Sequence, residues 1–169
     1  MLFYRIKQFY WAIESLFIED DFEIINKYLN QSELNLFMKL TKSERQHSIR
    51  VCNTAIEYIK SNNRLNIDRY IMCKCALLHD IGKSQIKLNI FYKSIIVIIN
   101  KITCGKFLKY NRNKTIISYY NHAQIGAELL QSINEEDLDI INCVKYHHDD
   151  DTRGDNKYLE ILRICDNCN

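Results

Sequence analysis

The run Ile71-Met72-Cys73-Lys74-Cys75-Ala76-Leu77-Leu78-His79-Asp80-Ile81-Gly82-Lys83 decides how this chain is read. Ile71, Cys75 and Leu78 recur at helical spacing, which predicts a buried helix that stops at Gly82, a residue suited to a left-handed closing turn. His79 and Asp80 then fall in the last turn of an apolar element. Desolvating an imidazole and a carboxylate side by side is costly unless a third group compensates them, and a divalent cation is the natural one. Lys83, three residues beyond the carboxylate, places an ammonium where it can meet an anion held by that cation.

The rest of the chain supplies a setting for such a helix. Its 169 residues suffice for one well-buried domain and are few for two. At 47% hydrophobic and 26% charged it has the composition of a soluble globular protein, and a net charge of +2 gives no footprint for a nucleic-acid polymer or an acidic lipid surface. Proline is absent and glycine occurs four times, so the chain breakers of β-rich folds are nearly missing and an all-α fold is expected. Seven cysteines, an odd number without a disulfide-scaffold rhythm, suit a reducing cytoplasm. The N-terminus lacks a secretory pattern. The apolar run Ile90–Ile99 contains Lys93 and falls short of the roughly 20 residues a spanning helix requires, so no membrane span is expected.

In order along the chain, residues 2–18 align Leu2, Ile6, Phe9, Ile13, Leu16 and Phe17 on one stripe, the pattern of an amphipathic helix packed on a core. A short helix is expected over Phe22–Leu29, and Ser32 is expected to cap a third through Leu40. Within Ser43–Ile59, His47 shares a face with Val51, Ala55 and Tyr58 and so points inward. Residues 86–102 suggest one or two helices over the site, and Gly105 with the polar stretch Lys109–Lys114 marks an excursion that reads equally as a lid framing the substrate mouth and as a solvated lysine-rich loop, so the sequence leaves open whether residues 86–114 form a lid. His122 opens a further helix, in which Gly126 permits a close crossing. Asn134-Glu135-Glu136-Asp137 offers acidic residues to the start of the next, which ends at His147-His148, with His148 four residues after Val144. In the last helix Asp166 follows Leu159 and Leu162 into a core slot, where a lone carboxylate calls for a nearby cation. The division expected is 1–40 as N-terminal helices packed on a domain of residues 41–169.

All five histidines (His47, His79, His122, His147 and His148), with Asp80 and Asp166, thus lie at helix ends or on inward faces. Imidazoles and carboxylates without thiolate suit iron or manganese first, with zinc, magnesium, cobalt and nickel also compatible. Seven donors exceed the needs of one open site and suit two divalent ions sharing a carboxylate. Cys73-x-Cys75 and Cys165-x-x-Cys168 offer a competing thiolate site, but the first spacing is poor for zinc, and Cys75 and Cys165 read better as small buried hydrophobes. Arg50, one turn after His47, is a candidate for a substrate phosphate.

From His47 to Asp166 the order His, His-Asp, His, His-His, Asp resembles the ligand pattern of dinuclear members of the HD-domain superfamily of metal-dependent phosphohydrolases, of which the HD-GYP phosphodiesterases are a branch. The resemblance implies a single helical-bundle HD domain. It implies that His47, His79, Asp80 and Asp166 hold one metal, that His122, His147 and His148 hold a second with Asp80 bridging, and that Lys83 contacts the substrate phosphate. It further implies hydrolysis of a nucleotide-like or other small phosphoester by a hydroxide that the two metals make available, with Asp80 and Lys83 as the catalytic pair. A non-catalytic signalling or scaffold domain of the same fold is the alternative. After His147-His148 the chain departs from the HD-GYP branch, running Asp149-Asp150-Asp151-Thr152-Arg153-Gly154 with no Gly-Tyr-Pro, so that branch's cyclic dinucleotide specificity is not carried over. Ser43 stands where some relatives have a glutamate for a third metal, and no third ion is expected.

Overall fold

Short polar side chains open most of the helices in the computed structural model, which describes residues 10–11, 13–15, 17–62, 66–85, 103, 106, 113–149 and 156–169. Asp21 caps α1 (Phe22–Tyr28), Asn30 caps α2 (Gln31–Phe37), Thr41 caps α3 (Lys42–Ser61) and Asp68 caps α4 (Arg69–Leu78). Each accepts a hydrogen bond from a first-turn N–H. A 3-10 turn spans Ile81–Gln85. Then come α5 (Lys114–Tyr120), α6 (His122–Ser132), α7 (Leu138–Tyr146), capped by Asp137, and α8 (Lys157–Cys168), capped by Asn156. No strand occurs among the described residues, and the fold is all-α as expected. No helix among them is long and apolar enough to cross a membrane.

At the centre lies α4, packed between α3 and α7, with Met72, Cys73, Cys75, Ala76, Leu77 and Leu78 wholly buried. Burial of Leu77 and Leu78 contributes about 1.5–3 kcal/mol each. Cys75 and Cys165 are core residues, and the cysteines among the described residues are free thiols. Around α4, α6 packs on α7 and on the 3-10 turn, while α8 packs on α3.

Three expectations are corrected. Ser32 is not a cap: Asn30 is, because Asn30 and Glu33 complete a reciprocal box, Glu33 N–H to Asn30 Oδ1 at 3.0 Å and Asn30 N–H to Glu33 Oε2 at 2.7 Å. Gly82 does not close a helix in the left-handed region. The chain runs on from α4 into the 3-10 turn, and the glycine is needed for close approach, since a Cβ there would lie 1.9 Å from the His122 carbonyl oxygen and 2.7 Å from Gly126 N. Nor does the N-terminal stripe seat on the core over its described part: Ile13 is 45% and Phe17 82% exposed, and the inward residues of this stretch are Ser15 and Trp11, the latter over Arg50. Residues 86–114, where the sequence leaves a lid and a solvated loop both open, fall almost entirely outside the described residues.

Candidate metal centre

Helix ends place most of the site. His79 is the C-terminal cap of α4, His122 the first residue of α6 and His147 the C-terminal cap of α7, with His148 following it. The last turn of a helix leaves carbonyls without intrahelical partners, and the rings use them. His79 Nδ1–H donates to Ala76 O at 2.9 Å, His122 Nδ1–H to Tyr119 O at 2.6 Å and His147 Nδ1–H to Val144 O at 2.8 Å. A carbonyl oxygen only accepts, so each Nδ1 carries hydrogen and each Nε2 faces the interior. His47 enters from α3 and Asp166 from α8, two helices packed together.

Asp80 is the meeting point. Its Oδ2 lies 3.4 Å from His79 Nε2 and 3.9 Å from His47 Nε2, while its Oδ1 lies 3.1 Å from His122 Nε2 and 3.7 Å from His147 Nε2. One carboxylate therefore turns one oxygen to each of two imidazole sets. Asp80, His122, His147 and His148 form one group whose donor atoms lie within 4.8 Å of one another, and His47, His79 and Asp80 form another. Asp166 Oδ1 extends the second group, 3.0 Å from His47 Nε2 and 3.8 Å from His79 Nε2.

The residues fit a cation. His79 Nε2 and Asp80 Oδ1 are buried without a hydrogen-bond partner. Where His122 Nε2 stands 3.1 Å from that Oδ1 and 3.3 Å from His147 Nε2, lone pairs converge on a water-poor centre, which costs free energy unless a positive charge sits among them. Burial holds His147 down at about 4; His148, exposed as a residue, is held at about 3 by the packing around its ring and then by His147 and His122; and burial also lowers His47. These three rings are therefore neutral at ordinary pH, the state in which an imidazole can ligate a cation once its nitrogen gives up any hydrogen it holds. At His79 burial pulls the other way from Asp80, whose field wins and lifts the ring to about 8. Against burial, Lys83 and His79 keep Asp80 well below the usual carboxylate range, and the His47 hydrogen bond does the same for Asp166.

All seven residues expected at a metal are thus in one place, with one difference of depth. His147 is buried, whereas His148, placed by its spacing from Val144 at the deep end of a face, stands at an exposed rim with its ring 4.0 Å from that of His147. Lys83 Nζ lies 2.5 Å from Asp80 Oδ2, and although burial would lower this ammonium, Asp80 raises it. Arg50 has a different neighbour, its guanidinium 4.7 Å from the Trp11 ring centroid and its Nε without a partner. Sequence reasoning did not find Tyr119, whose ring flanks His122 at 6.1 Å. An aromatic on a helix reads as core, and only its position three residues before a helix-end histidine could have marked its carbonyl.

No curated protein and no solved structure matches the chain. The family model for the HD domain does match, over residues 45–169, a span that contains every side chain of this centre, and the chain belongs to the HD-domain family.

Proposed function

We propose that this chain is a phosphohydrolase that holds two divalent ions and cleaves a nucleotide-like or other small phosphoester. The HD-domain family lies within the superfamily of metal-dependent phosphohydrolases, and one observation carries the finer reading: the two oxygens of Asp80 address separate imidazole sets. In this reading His47, His79, Asp80 and Asp166 hold one ion, and His122, His147, His148 and the other oxygen of Asp80 hold the second. The donor set favours iron or manganese. When bound, such ions polarise a phosphoryl group and make hydroxide available at neutral pH.

The protein's own part is positioning and charge. Three Nδ1–H bonds to carbonyls fix the rings, so their Nε2 atoms need no reorganisation when ligand arrives. Lys83, 17% exposed at its side chain and paired with Asp80, presents its ammonium toward an incoming phosphoryl oxygen. Helices within residues 1–40 pack on the catalytic unit of residues 41–169.

The test is metal analysis of protein purified without chelator, with hydrolysis of p-nitrophenyl phosphate and bis-p-nitrophenyl phosphate in manganese or iron. About two metal ions per chain are expected, with turnover that disappears in Asp80→Asn together with the metal. The ratio of the two rates assigns mono- or diesterase. Wild-type protein without metal or turnover would make this an inactive scaffold of the same fold.

A further inference from the structure

Apart from the metal centre a second cluster of charge is buried, and part of it comes from outside the segment that matches the HD family. Glu33 of α2 is wholly buried and Lys74 of α4 nearly so, and Glu135 reaches them from the loop between α6 and α7. Lys74 Nζ lies 2.5 Å from Glu33 Oε1 and 3.0 Å from Glu135 Oε2. The loop is bent for this purpose: Asn134 takes a φ of 61°, a left-handed conformation that asparagine tolerates better than most residues, and the next residue turns inward. Glu135 was expected to serve the start of α7, but Asp137 fills that role and Glu135 faces Lys74 instead.

One ammonium cannot neutralise two carboxylates. Two buried carboxylates sharing one cation retain a net negative charge, and binding one proton costs less than keeping both ionised. Glu33 Oε2 accepts from the Asn30 N–H at 2.7 Å and Oε1 faces the Lys74 ammonium, so the retained proton is the one that Glu33 and Glu135 share in the hydrogen bond between their carboxyls. Among the described residues, the other groups facing the cluster supply no second cation: the Tyr70 ring lies 5.7 Å from Lys74 Nζ, and Asp137 gives its N–H, 3.0 Å from Glu135 Oε1.

We infer that Glu33, Lys74 and Glu135 form a proton-sharing clasp that fastens the N-terminal helix pair to the HD core and slackens as pH rises. Burial and then Glu135 raise the Glu33 carboxyl above its ordinary value, in keeping with a retained proton. Because α2 also packs on the 3-10 turn that bears Lys83, loosening the clasp loosens a support of the metal centre.

The sign follows from the direction. A carboxyl whose pKa is higher folded than unfolded gives stability that is full below the unfolded value, about 4.5, and is lost as pH climbs through the folded value. Denaturant unfolding of the full chain from about pH 5 to about pH 9, for wild type, Glu33→Gln and Glu135→Gln, reads this directly. Between the unfolded and folded values, the wild-type unfolding constant should rise relative to either variant by up to about tenfold per pH unit. The two variants should share one profile, which carries only the titrations common to all three proteins, since each removes the second negative charge. A wild-type to Glu33→Gln ratio constant within about twofold over the range overturns the clasp. So does a Glu135→Gln profile that keeps the wild-type slope.

Discussion

Replacing Gly82 by alanine tests the geometry on which the whole centre rests. The new Cβ would lie 1.9 Å from His122 O, 2.8 Å from His122 C and 2.7 Å from Gly126 N. All three are backbone atoms, so no side chain can swing aside, and the 3-10 turn must part from α6 by about 1 Å to restore contact near 3.0 Å. Overpacking of this kind costs about 1–3 kcal/mol, and rigid neighbours place this case near the top, about 3 kcal/mol. For a chain of this size that is a fall in Tm of roughly 6–12 °C. The same displacement opens the 3.1 Å spacing between Asp80 Oδ1 and His122 Nε2, since Asp80 immediately precedes the turn and His122 opens the helix. Metal affinity should fall by about 10–100-fold. Gly126→Ala is the milder comparison: its Cβ meets Val144 Cγ1 at 2.8 Å, a side-chain atom where Gly82→Ala meets backbone at 1.9 Å, with Gly82 N and Ile81 Cγ2 at 3.1 Å. Helix propensity returns about 1 kcal/mol there against an overpacking cost of about 1–3 kcal/mol, so a smaller loss than that of Gly82→Ala is expected. Thermal melts with and without chelator, paired with elemental analysis, give both readouts. A Gly82→Ala protein that melts within about 2 °C of wild type and keeps its metal would refute the reasoning.

Lys83→Ala should leave bound metal in place and raise KM. The loss of a charge-assisted contact worth about 1.5–3 kcal/mol lowers kcat/KM by about 10–100-fold, and unchanged steady-state kinetics would remove Lys83 from the substrate. A pH effect follows from His79. Its folded value of about 8 lies above the ordinary 6.5, so metal-stripped protein holds that stability below about pH 6.5 and loses it as pH rises through about 8. Metal displaces the same proton, so affinity measured by competition should rise about tenfold per pH unit up to about pH 8, and a flat profile below that pH would contradict the assignment of His79.

How much was legible beforehand depended on the range of the interaction. Helical spacing in Ile71–Leu78, with no proline anywhere, made α4 and an all-α bundle readable, because periodicity and backbone propensity act within a few residues. Neighbouring residues also marked the histidines that end helices, and the helix crossing at Gly126 followed from one missing Cβ. The tertiary structure decided what depends on distance between elements. That Asp80 gives one oxygen to His47 and His79 and the other to His122 and His147 depends on how α3, α6 and α7 pack, which no local pattern encodes. The same holds for Gly82, read locally as a turn and needed instead because a carbonyl from another helix lies against it. It holds too for Glu135, read as a helix-start charge and drawn inward by a lysine 61 positions away. A side chain's partners are set by the fold, whereas its backbone conformation is set largely by its neighbours in sequence, and the metal centre is made of partners.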